Sequence, residues 1–225
     1  MNANKWVLEK EWSTIDDSKI KRIFDFFLSL VGIFAFTFLF PFFLVIPVAI
    51  IIEDGFPIFF SLDKVGKNGK LFRMYKFRSM VKDAERNGVV WVNKNPSKLT
   101  KVGRFLRATA MDELPQLFSI LKGDMSFVGP RPYRVSFEEQ FSKEIENYSL
   151  RHLVRPGLTG LAQVYGKKYM SPRQRLRFDL LYIKKRSFCM DLKLILISGW
   201  NTLRRRWESQ DRKMKRIKIG KWRIT

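Results

Sequence analysis

IFDFFLSLVGIFAFTFLFPFFLVIPVAIII, residues 23–52, is almost wholly apolar, interrupted by Asp25 and by Pro41 and Pro47. A run of this length exceeds the roughly 18 apolar residues that make a membrane helix. It is too long for the apolar part of a cleavable signal peptide, and no small-residue cleavage site follows it. A straight helix over the run would measure about 45 Å, against about 30 Å of hydrocarbon. Pro41 removes a backbone donor and clashes with the preceding turn, dividing the run into pieces of about 27 Å and 16 Å. Lys19, Lys21 and Arg22 precede the segment, and Lys64, Lys67, Lys70, Arg73, Lys76 and Arg78 follow it. Basic flanks favour the cytoplasmic side. A re-entrant hairpin broken at Pro41 keeps both flanks there, whereas a single tilted span must translocate one of them. The tilted span also fits, because prolines are common in membrane helices.

Outside this segment, 225 residues suffice for one domain plus an anchor. A formal charge of +22 calls for phosphate-rich partners: nucleic acid, anionic lipid or a phosphorylated substrate. The single Cys189 excludes a disulfide framework and a cysteine-based metal site. Residues 1–20 are polar and read as a surface segment. Ile58–Phe60 and Leu71–Tyr75, separated by Asn68-Gly69, predict a β-hairpin. Residues 83–98 read as a polar loop. Helices are predicted over Leu114–Leu121, ending at Lys122-Gly123, over Glu138–Arg151, and over Arg173–Lys185. A last helix over Asp191–Trp207 aligns Leu192, Ile195, Leu196, Trp200, Leu203 and Trp207 on one stripe. Trp with Arg204–Arg206 on such a helix suits a membrane surface, and a core helix with a solvated basic tail is the alternative.

Four clusters could carry chemistry: Lys76–Met80, Arg107–Gln116, Lys122–Pro132 and Arg155–Gln163. Singly, each has an ordinary reading. Asp112 suits a helix N-cap, with Glu113 in the first turn. Pro130-Arg131-Pro132 and Arg155-Pro156-Gly157 read as turns. Lys76 and Arg78 alternate along a strand and can face solvent. Together they suit phosphoryl transfer, which needs cations on non-bridging oxygens, a carboxylate-held metal and an in-line nucleophile. A carboxylate can itself be that nucleophile. With His152 the sole histidine, a histidine triad or multi-histidine metal site is excluded, and no Walker loop or dinucleotide fingerprint occurs.

The succession Lys21–Asp25, the apolar segment with Pro41, Tyr75–Met80, Val102–Arg107, Met111–Leu117, Leu121–Pro132, Arg151-His152 and Arg155–Gly160 closely resembles the bacterial sugar transferase family. These are monotopic phosphoglycosyl transferases that begin capsule, O-antigen and exopolysaccharide synthesis. The resemblance runs from about Lys21 to Leu196. It implies that Asp112 is the nucleophile toward a UDP-sugar and that Glu113 holds Mg²⁺. Polyprenol phosphate then takes the sugar phosphate from the enzyme. Lys76, Arg78, Arg107, Arg131 and Arg155 are the matching candidates for phosphate contacts, while Asp179 matches a polar position to which no role is assigned. The resemblance also favours the hairpin broken at Pro41. Three positions depart from the family's habit: Phe40 stands where a serine is frequent, Leu161 where a tryptophan is, and Tyr165 where an asparagine is.

The expectation is an α+β, mostly helical monotopic membrane protein with a re-entrant N-terminal membrane helix hairpin and amphipathic interfacial helices. Its segments would be 1–20 at the surface, 21–55 in the membrane, 56–200 catalytic and 201–225 a basic tail. It would work at the cytoplasmic face of the bacterial inner membrane, with UDP-sugar, polyprenol phosphate and membrane lipid as partners. No nucleic acid is expected, and a homo-oligomer is compatible with the sequence. The rivals are an inactive scaffold of a polysaccharide complex and a membrane-anchored basic nucleic-acid-binding protein.

Overall fold

A computed structural model describes residues 19–86, 96–167 and 170–204, together with the backbone of two short paired strands, Ile217–Ile219 and Trp222–Ile224. The expected surface segment before Lys19, the middle of the polar loop and most of the basic tail, including Trp207, lie outside the described residues.

The apolar run forms α1 (Lys19–Phe34), a π-helical stretch (Ala35–Leu39) and α2 (Phe42–Asp54). Lys19–Leu39 is long and apolar enough to cross a membrane by length and composition. The break falls at Phe40-Pro41, as the proline predicts, with Phe40 at φ −127°, ψ 63°. Phe40 N–H donates to Ala35 O, one residue farther back than in an α-helix, and Thr37 Oγ1 donates to Ile33 O. A hydroxyl therefore does stand near the kink, although Phe40 cannot supply it.

Both ends of this broken helix are tied to the same globular body by charges set against helix termini. Arg22 donates to Ile120 O and Leu121 O at 2.7 and 2.6 Å, satisfying the C-terminal carbonyls of α4 (Gln116–Lys122). At the far end, Glu53 accepts the N–H groups of Lys101 and Val102, the first turn of α3 (Lys101–Ala108). Thr100 completes that N-terminus by accepting from Gly103 N–H at 2.8 Å. Asp25 is buried and accepts from Phe127 N–H, so the first turns of α1 belong to the body's packing. Between these anchors the outward side chains stay uncovered, among them Phe38 at 70% and Leu39 at 67% exposure.

The predicted hairpin forms as β1 (Phe59–Val65) and β2 (Leu71–Phe77), antiparallel, with Phe60 opposite Lys76 and Lys64 opposite Phe72. Asn68 and Gly69 both take positive φ, inside a loop that Gly66 N–H closes on Lys70 O. Two further strands, β3 (Ser126–Val128) and β4 (Gly157–Thr159), pair in parallel. This corrects the turn expected at Arg155-Pro156-Gly157, because Pro156 O accepts from Ser126 N–H and Gly157 N–H donates to Pro130 O. The close approach explains two glycines: a Cβ on Gly129 would lie 2.3 Å from Arg155 O, and one on Gly157 would lie 2.0 Å from Gly129 N.

The helix expected over Glu138–Arg151 is two pieces, α5 (Val135–Glu144) and a 3₁₀ stretch (Tyr148–Leu153). Ile145 is extended and Asn147 left-handed (φ 59°), which ends one helix and starts the next. After β4, the short α6 (Leu161–Tyr165) leads to α7 (Pro172–Lys185). Here Ser171 and Gln174 form a reciprocal capping box. The final helix, α8 (Phe188–Leu203), buries Asp191 and Leu194 and leaves Leu192, Leu196, Trp200 and Leu203 exposed. Ile195, on the same predicted stripe, packs against the core, so the helix is docked along one edge and leaves the other four described apolar positions uncovered. Arg204 stacks over the Trp200 ring at 4.2 Å. Lys21 links α1 to α8 through Asp191 at 2.6 Å, and Tyr182 of α7 donates to the same carboxylate at 2.7 Å.

Candidate active site

Ala110, left-handed at φ 57°, reverses the chain after α3 into a 3₁₀ turn, Met111–Glu113, which packs on β2. This turn carries the two carboxylates. Asp112 does not cap a helix, contrary to the ordinary reading of its position: α4 starts after Pro115 with no side-chain cap. Its carboxylate is buried and faces Lys76, whose Nζ lies 3.8 Å from Oδ2. Lys76 reaches the turn from β2 and ion-pairs with Glu113 Oε1 at 2.5 Å, where Arg131 Nη2 also binds at 2.6 Å. Lys76 is thus half-buried in the site and not a solvent-facing strand residue.

The two adjacent carboxylates are driven apart in proton affinity. Burial pushes Asp112 above the ordinary carboxylate range. Lys76 opposes that rise, Glu113 adds to it, and Arg107 and Arg131 act with Lys76. Burial pushes Glu113 the same way, but Arg131 and Lys76, by charge and by direct hydrogen bonds, outweigh it and hold Glu113 well below the usual range. Neighbouring acids separated in this way take different roles in a reaction. Glu113 is a fixed anion. Asp112 is the more basic, less strongly paired oxygen donor, which is what a nucleophile requires.

Beside this pair lies a cavity of about 610 Å³, lined by Lys76, Arg78, Arg107 and Arg131 along with one face of the hairpin. Asp112 and Glu113 are behind Lys76 and Arg131 and are not on its lining. Arg107 Nε donates to Ser79 Oγ at 2.8 Å. Arg78 is buried and held at the end of α2 by Asp54 O, Gly55 O and Asp54 Oδ2, while its Nε and Nη1 have no partner among the described residues. Gln116, also on the lining, is buried with Nε2 unpaired among the described residues. Unpaired buried donors on residues that line a cavity suit a ligand rich in acceptor oxygens that can reach them. Of the expected contacts, Lys76, Arg78, Arg107 and Arg131 come together here. Arg155 does not line the cavity, and its Nε donates to Gly123 O at 2.8 Å.

Sequence reasoning passed over Gln116 and Lys64 on the lining. It also left Asp179 without a role, which the structure supplies: Asp179 pairs with buried Arg151 at 2.9 Å. Arg151 in turn donates to Arg131 O at 2.7 Å, so this pair supports the segment that carries a site arginine. The signal for Lys64 was present in the strand alternation, since Phe60, Leu62 and Lys64 share a face with Lys76 once the hairpin register is set.

The profile of bacterial sugar transferases matches residues 16–205, most of the chain. The chain belongs to the bacterial sugar transferase family. It is 43% identical over 163 residues to a UDP-glucose:undecaprenyl-phosphate glucose-1-phosphate transferase of Klebsiella pneumoniae, covering 70% of this chain and 35% of that protein. It is 39% identical over 179 residues to a UDP-N-acetylgalactosamine-undecaprenyl-phosphate N-acetylgalactosaminephosphotransferase of Aeromonas hydrophila, covering 78% and 42%. The exopolysaccharide production protein PSS of Rhizobium leguminosarum bv. phaseoli is 37% identical over 188 residues, covering 80% of this chain and 92% of that one. The chain therefore spans less than half the length of the first two relatives and nearly all of the third.

Proposed function

We propose that this bacterial sugar transferase moves a sugar 1-phosphate from a UDP-sugar to polyprenol phosphate, releasing UMP, through a phosphosugar on Asp112. The observation that carries the reading is the Asp112-Glu113 turn beneath Lys76 and Arg131, beside a cavity lined with further cations. Oδ of Asp112 attacks the sugar-bearing phosphorus. The bond from that phosphorus to the bridging oxygen breaks, and UMP leaves with its electron pair. An oxygen of polyprenol phosphate then attacks the same phosphorus and returns Asp112 as a carboxylate. Lys76 already sits between the two carboxylates, so a short shift of its ammonium from Glu113 to a phosphate oxygen opens Asp112 to the donor. Arg131 and Arg107 offset charge on the non-bridging oxygens, which would otherwise repel an anionic nucleophile.

The donor set suits Mg²⁺ held in the usual manner, by one or two carboxylates with substrate phosphates completing the shell. Among the described residues no group of three or more His, Cys, Asp or Glu side chains forms a ready-made cage. Both cations bind Oε1 of Glu113, and Oε2 has no hydrogen-bonding partner among the described residues. Glu113 would hold the ion, which when bound supplies charge neutralisation on the diphosphate. UMP release by purified protein across a panel of UDP-sugars, UDP-glucose and UDP-N-acetylgalactosamine included, tests the reaction. A lipid-linked sugar diphosphate should form with one donor, and chelation should stop it. No release from folded protein with any donor would favour the scaffold. Turnover unaffected by chelation would remove the metal from Glu113.

The same reading places α1 and α2 in the membrane as a re-entrant hairpin, with α8 lying at the interface. Supporting it are the break at Phe40-Pro41, the docking of both helix ends on one body, and the exposed apolar side chains of all three helices. That body would lie at the cytoplasmic face of the inner membrane, in keeping with its basic flanks. In a Cys189→Ser background, single cysteines at Lys19 and Lys67 should both react from the cytoplasm. Labelling from opposite sides would refute the hairpin.

A further inference from the structure

Lys64 enters the cavity from the end of β1 farthest from α2. It shares a hairpin face with Phe60, Leu62, Met74 and Lys76, because residues two apart and residues paired across the register point the same way. Lys76 stands opposite Phe60, so Lys64 is displaced from it by four residues, about 13 Å of strand. The cavity floor thus carries a cation from each strand, near enough for their charges to repel, with apolar side chains of the same face between their backbone positions.

Lys64 differs from the other cations of the lining in two respects. It is 7% exposed, as only Arg78 is among them, and its ammonium has no hydrogen-bond or ion-pair partner among the described residues, whereas Arg78 is held by Asp54 and Gly55. Lys76 and Arg131 are engaged by Glu113, Arg134 by Glu85 and Arg107 by Ser79. The charged groups facing Lys64 are Arg131 and Arg134 from the segment before α5, Lys76 from β2, and Glu138 from α5. Three of these repel it, and Glu138 is already bound to Arg151 and His152. An unpaired ammonium on a largely buried side chain among like charges is costly. It is stabilised when an anion enters the cavity.

We propose that Lys64 is the contact for the nucleotide-side phosphate of the donor, the one that departs as UMP, and that it takes up a proton as that phosphate binds. The inference rests on the transferase reading above. Burial, followed by repulsion from Arg131, Lys76 and Arg134, lowers the Lys64 amine from its usual range to about 7. At pH 8 most of the free protein would then hold a neutral amine, and an entering phosphate dianion raises its proton affinity. Affinity for the nucleotide therefore weakens as pH rises above about 7.

Titration calorimetry of UMP into purified full-length protein at pH 8, in two buffers of different ionisation enthalpy, measures the proton taken up. Wild type should bind with uptake approaching one proton. Lys64→Arg, charged throughout, should bind without uptake. Lys64→Met should weaken binding on the order of 10- to 100-fold and show no uptake, with circular dichroism confirming the fold. Uptake that persists in Lys64→Arg, or Lys64→Met binding like wild type, overturns the assignment and leaves the transferase reading standing. A folded wild type that neither binds UMP nor releases it from any donor overturns both.

Discussion

Asp112→Asn is expected to reduce UMP release by about 10³-fold or more, the scale of losing a group that acts in a covalent unit. The substitution keeps shape and removes the anionic oxygen that, in the proposed mechanism, bonds to phosphorus. Its effect on folding should be small, because burial already disfavours the charge on Asp112 and its cation stands 3.8 Å away. Glu113, with Lys76 and Arg131, keeps the turn in place. Two measurements should therefore separate: the unfolding midpoint stays close to wild type, and radiolabelled phosphosugar no longer accumulates on the protein. Release of UMP at the wild-type rate would eliminate Asp112 as nucleophile. Lost release with retained protein labelling would move the covalent step to another side chain.

Much of the fold was legible because the relevant signals are local. Pro41 breaks the apolar run at the residue where a donor is lost. Asn68-Gly69 supplies two positive φ angles to a hairpin loop, and Gly123 closes α4 in a left-handed conformation. The exposed stripe of α8 follows directly from helical spacing. The failures were non-local. Asp112 has the chemistry of an N-cap, and only the left-handed Ala110 and the arrival of Lys76 from a strand 36 positions earlier turn it into something else. Arg155-Pro156-Gly157 has turn chemistry, yet it pairs with a strand some thirty residues before it, a partner no short window contains. The break between α5 and the 3₁₀ stretch depends on Asn147, a residue common enough within helices to pass unnoticed.

The site was legible at the level of its motifs and less so in its supports. Lys76, Arg107, Asp112, Glu113 and Arg131 were assembled by resemblance, and the geometry brings them together. What holds them could not be read in advance, since a buried charge looks like a surface charge in a sequence. Lys64, Glu138, Arg151, Asp179 and Asp191 are all buried in a chain whose net charge of +22 suggests a solvated surface.

That burial sets the second large effect. Arg151→Ala is expected to destabilise the protein by about 3–5 kcal/mol, the scale for removing one partner from a buried ionic cluster. Arg151 is 2% exposed and donates to Glu138 Oε1, Asp179 Oδ2, Tyr148 Oη and Arg131 O, with its guanidinium 4.8 Å from the centre of the Tyr133 ring. Removing it leaves two carboxylates facing each other out of water. His152 remains on Glu138 as partial compensation. For a chain of this size the loss corresponds to a fall on the order of 10 °C in unfolding midpoint, measurable on the detergent-purified protein. Lys in place of Arg cannot reach both carboxylates with one planar fork, so Arg151→Lys should recover only part of the stability. Replacing Glu138, Arg151 and Asp179 together with apolar residues of similar volume should recover more of it. That triple variant separates stability from function. With the fold restored, Arg131 still lacks the donor on its carbonyl oxygen, and UMP release should stay below wild type. Wild-type release from the triple variant would mean that the cluster stabilises the fold without positioning the site.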